Sequence, residues 1–120
     1  MNVLGISAYY HDSAAAIIVD GDVVAAAQEE RFSRKKHDPR FPTQAVRYCL
    51  ESQGLTLADI NTVVYYEKPL LKASRLLLKG GSGDWMPRFN IEGVPRKSFG
   101  HHYSHAAAGY YTSSFNDAVI

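Results

Sequence analysis

An α/β chain built on a mixed sheet flanked by helices is the fold class that the sequence predicts, on three observations. Residues 1–27 carry apolar runs of strand length separated by turn signals. Beyond them, segments with helical spacing of apolar residues alternate with β-branched segments. The composition, 46% hydrophobic and 21% charged over 120 residues, is that of one globular domain and not of a disordered chain.

Val3 to Ile6 is the first apolar run and Ala14 to Val19 the second, joined by the polar and aromatic stretch Ser7 to Ser13. Asp20-Gly21 followed by Asp22 marks a tight hairpin, because Asp-Gly readily takes the positive φ values of such a turn. Val23 to Ala27 is the returning strand. Three antiparallel strands result, the middle one buried. The chain then becomes highly charged from Glu29 to Arg40 and reads as a loop closed by Pro39 and Pro42. Thr43 to Gln53 predicts a helix, since Ala45, Val46, Cys49 and Leu50 share a face, and Gly54 sits where a C-terminal cap belongs. Thr62 to Tyr66 is β-branched and aromatic, hence a strand. Leu70 to Lys79 has helical composition and runs into Gly80-Gly81-Ser82-Gly83, a connector without the Gly-Lys-Ser/Thr of a P-loop. Asp84 to Arg96 reads as irregular, Lys97 to Phe99 as a brief strand and His101 to Tyr111 as an alanine-rich helix. Asp117 to Ile120 reads as a strand just begun, so the chain is expected to be truncated there, a short edge strand at a natural end being the alternative. A three-stranded meander followed by alternating helix and strand is the element order of a partial actin-like (ribonuclease-H-like) lobe, and of several unrelated α/β folds.

Thirteen basic against 12 acidic residues leave a net charge of +1, which argues against a general polyanion binder such as a nucleic-acid protein. No apolar run approaches the ~20 residues that span a bilayer, and His11-Asp12 interrupt the place of a signal core. A lone Cys49 excludes an internal disulfide and a cysteine-based zinc site. The expected location is the cytoplasm.

Three segments carry candidate chemistry. In His101-His102-Tyr103-Ser104-His105 the outer histidines are four apart, so on a helix they share a face with Cβ atoms about 6 Å apart. Both can reach one divalent ion, while His102 is turned ~100° away. Two ligands are too few for a tight site, and Asp12, His11, Asp117 or residues past Ile120 would have to complete it. Equally, the pair fits two solvated histidines on an amphipathic helix. The loop from Gly5 to Ala16 carries His11-Asp12-Ser13 between small residues that permit close approach of a substrate; an unperturbed imidazole titrates near neutrality, so a histidine here suits a general base. An ordinary polar hairpin loop would look the same. Arg31, Arg34, Lys35 and Lys36 form a basic run able to clamp phosphate, although most charge runs are solvated.

Together the blocks Leu4-Gly5-Ile6-Ser7 with His11-Asp12-Ser13-Ala14-Ala15-Ala16, Ala27-Gln28-Glu29-Glu30-Arg31-Phe32-Ser33-Arg34-Lys35-Lys36-His37, and His101-His102-Tyr103-Ser104-His105-Ala106 resemble one family. It is the carbamoyltransferases of the nodulation-protein-U and antibiotic O-carbamoyltransferase type. The resemblance implies an N-terminal domain of actin-like ATPase fold and transfer of a carbamoyl group from carbamoyl phosphate, activated with ATP as a carbamoyl-adenylate, to an acceptor hydroxyl. It implies His101 and His105 as metal ligands, for iron(II), His11 as the base beside the acceptor, and Lys36 on the carbamoyl-adenylate. Asp12, Arg34 and Lys35 are weaker candidates, and the family's aspartate ligands fall beyond Ile120. The acceptor, a sugar or a secondary metabolite, and the oligomeric state are not specified by these residues.

Two rivals stand beside that reading. An actin-like ATPase or kinase lobe would carry a glycine-rich phosphate loop where this chain has His11-Asp12-Ser13. A non-enzymatic metal-binding interaction module would use the histidine pair and the basic run, indifferent to carbamoyl phosphate and nucleotide.

Overall fold

The computed structural model describes residues 1–66 and 93–117, and the structural statements below concern those. The expected helix Leu70–Lys79 and the strand begun at Asp117–Ile120 lie wholly or largely outside them. Strands β1 (Asn2–Ser7), β2 (Ala14–Val19) and β3 (Asp22–Gln28) form the meander. Helices α1 (Glu30–Ser33) and α2 (Thr43–Glu51) follow, then a 3-10 turn Leu57–Asp59, strands β4 (Thr62–Tyr65) and β5 (Arg96–Ser98), and helix α3 (His101–Tyr111). The expected boundaries of α2, β4 and β5 shift by one or two residues, the usual uncertainty at element ends.

Among the described residues the sheet has five strands in the order β3-β2-β1-β4-β5. β1–β2 and β2–β3 are antiparallel, whereas β1–β4 and β4–β5 are parallel. The sheet is therefore mixed, as expected. The hairpin turn has φ of 51° at Asp20 and 100° at Gly21, the two positive values that match the twist of paired strands. One register step between Ile17 and Ile18 leaves Val24 as an extra residue in β3, a β-bulge. The reading of Glu29–Arg40 as loop throughout is corrected: Glu30–Ser33 closes one helical turn, ended by Arg34 in the left-handed region.

Alternation along the strands sends Leu4, Ile6, Ala15, Ile17, Val63 and Tyr65 to one face, where they are buried with Ala45, Val46, Cys49 and Leu50 of α2. Each large side chain so buried contributes roughly 1.5–3 kcal/mol. The Tyr65 hydroxyl, inside this core, donates to the Ala8 carbonyl at 2.7 Å. The expected face of α2 is thus the one observed, and Gly54 at φ 63° turns the chain after it. On the other face Gly5, Ser7, Ala14, Ala16 and Ala26 pave a floor of small residues. An open groove of about 940 Å³ runs over that floor between Phe32 of α1 and Ser104 of α3. Helices therefore stand on both faces.

Register places Gln28, Ala14, Ser7, Tyr65 and Ser98 along a single edge of the sheet. The β1–β2 loop, the charged segment after β3 and the helix after β5 all leave from it. It is the carboxyl edge of the parallel strands, where open α/β sheets place their ligands.

Candidate functional site

Three backbone bonds join the β1–β2 loop to its neighbours. Tyr9 N–H donates to Pro39 O at 2.7 Å, Ser13 N–H to Asp38 O at 2.9 Å, and Glu29 N–H to Ser13 O at 2.8 Å. Two carboxylates then lock the charged segment in place. Glu29 is buried, and its oxygens accept from Ala45 N–H at 2.9 Å and from Gln44 N–H and Nε2 at 3.3 Å. It caps the start of α2, whose preceding residue Pro42 has no side-chain donor or acceptor to offer, and it suits the positive end of the helix dipole. Asp38 is fully buried and takes the Arg40 guanidinium, with Nε at 2.9 Å and Nη2 at 2.6 Å, plus Arg40 N–H at 3.1 Å. Arg40, helped by the Ser33 hydroxyl, holds the Asp38 carboxyl well below the ordinary carboxylate range, against the opposing effect of burial.

Asp12 links the two motif blocks. Its Oδ2 lies 2.6 Å from His11 Nδ1 and its Oδ1 lies 2.7 Å from His37 Nδ1. These two bonds, that of His37 first, lower the Asp12 carboxyl below its usual value. Glu30 completes the cluster by accepting from His37 N–H at 2.9 Å. Asp12, Glu30 and His37 offer ligand atoms within 4.8 Å of one another, a set with the composition of a divalent-cation site that the linear sequence did not reveal. Positive φ at Tyr9 (65°), Asp12 (52°), Arg34 (58°) and His37 (55°) concentrates backbone strain at this junction. His11 is exposed beside it, its ring 4.4 Å from that of Tyr10. Lys36, also exposed, sits between Lys35 and His37 on the same segment. The structure thus brings the His11 loop and the Lys36 segment together through Asp12.

α3 presents the histidine pair. His101 Nε2 and His105 Nε2 face each other at 3.1 Å, and the rings meet edge to face. Two imidazole nitrogens held at ~2.1 Å from one ion, between a right angle and the tetrahedral angle, are ~3.0–3.4 Å apart, so the spacing fits a shared metal. Two lone pairs this close also need a proton or a cation between them. His101 Nδ1 is buried with no hydrogen-bond partner, and its ring packs 5.3 Å from that of Tyr66. Among the described residues no further His, Cys, Asp or Glu joins the pair in a group of three. Of the expected completing ligands, Asp117 lines a separate hollow with His102 and Tyr110, while His11 and Asp12 bond within the other cluster.

The family model described as carbamoyltransferase N-terminus matches residues 2–81, which include both linked motif blocks. The chain belongs to the carbamoyltransferase family. Its resemblance to that family, drawn from the motif blocks, therefore holds. Nodulation protein NolNO of Sinorhizobium fredii is 36% identical over 132 residues, covering 93% of this chain and 19% of that protein. An uncharacterized protein of Synechocystis sp., sll1178, is 39% identical over 150 residues, covering 99% of this chain and 24% of the relative. An uncharacterized 19.2 kDa protein of Rhizobium etli is 42% identical over 60 residues, half of this chain. The chain therefore spans only about a fifth to a quarter of the first two relatives. Among the described residues no helix is long and apolar enough to cross a membrane.

Proposed function

We propose that the chain is the opening lobe, of actin-like architecture, of a cytoplasmic O-carbamoyltransferase that carries a carbamoyl group from carbamoyl phosphate to the hydroxyl of a sugar or secondary metabolite. ATP activates the group as a carbamoyl-adenylate. In the transfer step the acceptor oxygen bonds to the carbamoyl carbon, the bond from that carbon to AMP breaks, and the acceptor's proton passes to His11. Lys36 neutralises the negative charge that develops on the carbamoyl-adenylate. His101 and His105 would hold a divalent metal, iron(II), which supplies Lewis-acid stabilisation of phosphate and acyl oxygens when bound. Arg34 and Lys35, exposed on the same segment as Lys36, add to the field an anionic donor meets.

One observation carries this reading: Asp12 ties the His11 loop to the Lys36-His37 segment at the carboxyl edge of the parallel strands. On this reading a base and a cation that are 25 residues apart in sequence serve one ligand. The experiment is Lys36→Ala in the complete protein. Carbamoyl transfer should fall by on the order of 100-fold or more, with the unfolding midpoint unchanged, since the removed side chain is exposed. Unaltered transfer would remove Lys36 from the site.

A further inference from the structure

The Asp12 cluster contains more order than two ion pairs require. Each carboxylate oxygen is committed to a different ring nitrogen, and in both histidines that nitrogen is Nδ1. The carboxyl is held in its ionised form by these bonds, and an ionised carboxylate only accepts. Both Nδ1 atoms must therefore carry hydrogen. A neutral imidazole has one N–H, so Nε2 of each ring is left with a free lone pair. Free imidazole prefers the opposite form, with hydrogen on Nε2. The Tyr10 ring lies 4.4 Å from that of His11, tilted by 45°.

We infer that Asp12 is a positioning residue that fixes His11 as the Nδ1–H tautomer, presents its Nε2 as the free base, and uses its second oxygen on His37 to hold that ring in register with the Lys36 segment. The inference rests on the reading of His11 as the base and deepens it. A base that must take a proton from a hydroxyl needs its lone pair outward at the moment of attack. A ring free to exchange tautomers would spend much of its time with that position protonated. The resulting imidazolium is also stabilised by the carboxylate behind it, the role that an orienting aspartate has in hydrolase triads. The left-handed backbone at Asp12, φ 52°, is one that Asp and Asn adopt more easily than other side-chain-bearing residues.

The test is ¹⁵N-histidine spectroscopy on the complete protein, together with carbamoyl-transfer kinetics. Two-bond ¹H–¹⁵N correlations above the imidazole titration range should show His11 and His37 with hydrogen on Nδ1. In Asp12→Ala both should relax towards the Nε2–H form, and transfer should fall on the order of 100-fold or more, mainly in kcat. Asp12→Asn, which keeps the backbone conformation, has one acceptor and one donor and should convert one of the two rings. Finding His11 with hydrogen on Nε2 in the unaltered protein, or unchanged tautomers in Asp12→Ala, overturns the inference. A tautomer change with undiminished transfer overturns instead the assignment of His11 as base. Selective broadening of the His37 signals by manganese(II) at stoichiometric metal would overturn it in favour of a cation site on Asp12, Glu30 and His37.

Discussion

The two clusters of candidate residues are built by opposite means. The cluster around Asp12 is made of loops, yet it is held by cross-bonds from every side: Tyr9 and Ser13 to the segment after α1, Glu29 to the start of α2, Asp38 to Arg40. The cluster on α3 sits on a regular helix with no fully buried residue, and among the described residues its Ser104 hydroxyl donates to Tyr66 O, just past β4, at 3.4 Å. Regular secondary structure is thus no guide to which part is fixed. Orienting His11 as the proposed base would demand a rigid scaffold, and the buried Glu29 and Asp38 would supply it. The proposed ligand pair His101 and His105 would draw its spacing from the helical period, with metal binding completing its order.

The contrast can be broken most severely at Glu29. Glu29→Ala removes a buried cap from α2 and leaves the amides of Gln44 and Ala45 without their acceptor. A loss of about 2 kcal/mol is expected in chemical denaturation. A smaller loss is expected from acid, through Asp38. Its carboxyl is depressed in the folded state, so its contribution is fully present above the unfolded value of ~4 and fades as pH falls below that value. Asp38→Asn should therefore flatten part of the stability decline between about pH 5 and pH 3, measured as denaturation midpoints. Asp12 and Asp59, also held low, keep the remainder of the decline in both proteins. The least effect on stability belongs to the double variant His101→Ala/His105→Ala, whose apo form should lie within ~0.5 kcal/mol of the parent. Its difference appears on adding iron(II) anaerobically to the complete protein, where the thermal shift seen in the parent should vanish. A shift that survives would place the metal elsewhere and dissolve the comparison.

Much of the fold was legible because burial on one sheet face imposes alternation, and Asp20-Gly21 allows only a tight turn. The face of α2 and the facing of His101 and His105 followed from helical period alone. The meander did not reveal that β1, between β2 and β4, is the centre of the sheet, since a parallel partner arrives from residue 62 with no local signal. Glu29 and Asp38 were hidden for a different reason. They sit in a run of charges that reads as solvated, and burial of one carboxylate by a distant helix end leaves no trace in composition. Asp38-Pro39-Arg40 did contain a usable clue, because Asp commonly accepts from the backbone two residues on, as it does here. The pairing of Asp12 with His37 had none.

The bulge at Val24 has a consequence for the company this chain can keep. β3 is an edge of the described sheet, and Val23 and Val24 are 56% and 37% exposed on it, which is the make-up of a strand that recruits strangers. The extra residue breaks the even spacing of outward N–H and C=O groups, so an incoming strand that matches Asp22–Val23 is out of step by Ala25. At the opposite edge β5 is only three residues long, two of them Arg96 and Lys97. Among the described residues one border of the sheet is misaligned and the other is short and cationic, and both discourage the stacking of chain on chain that exposed valines invite.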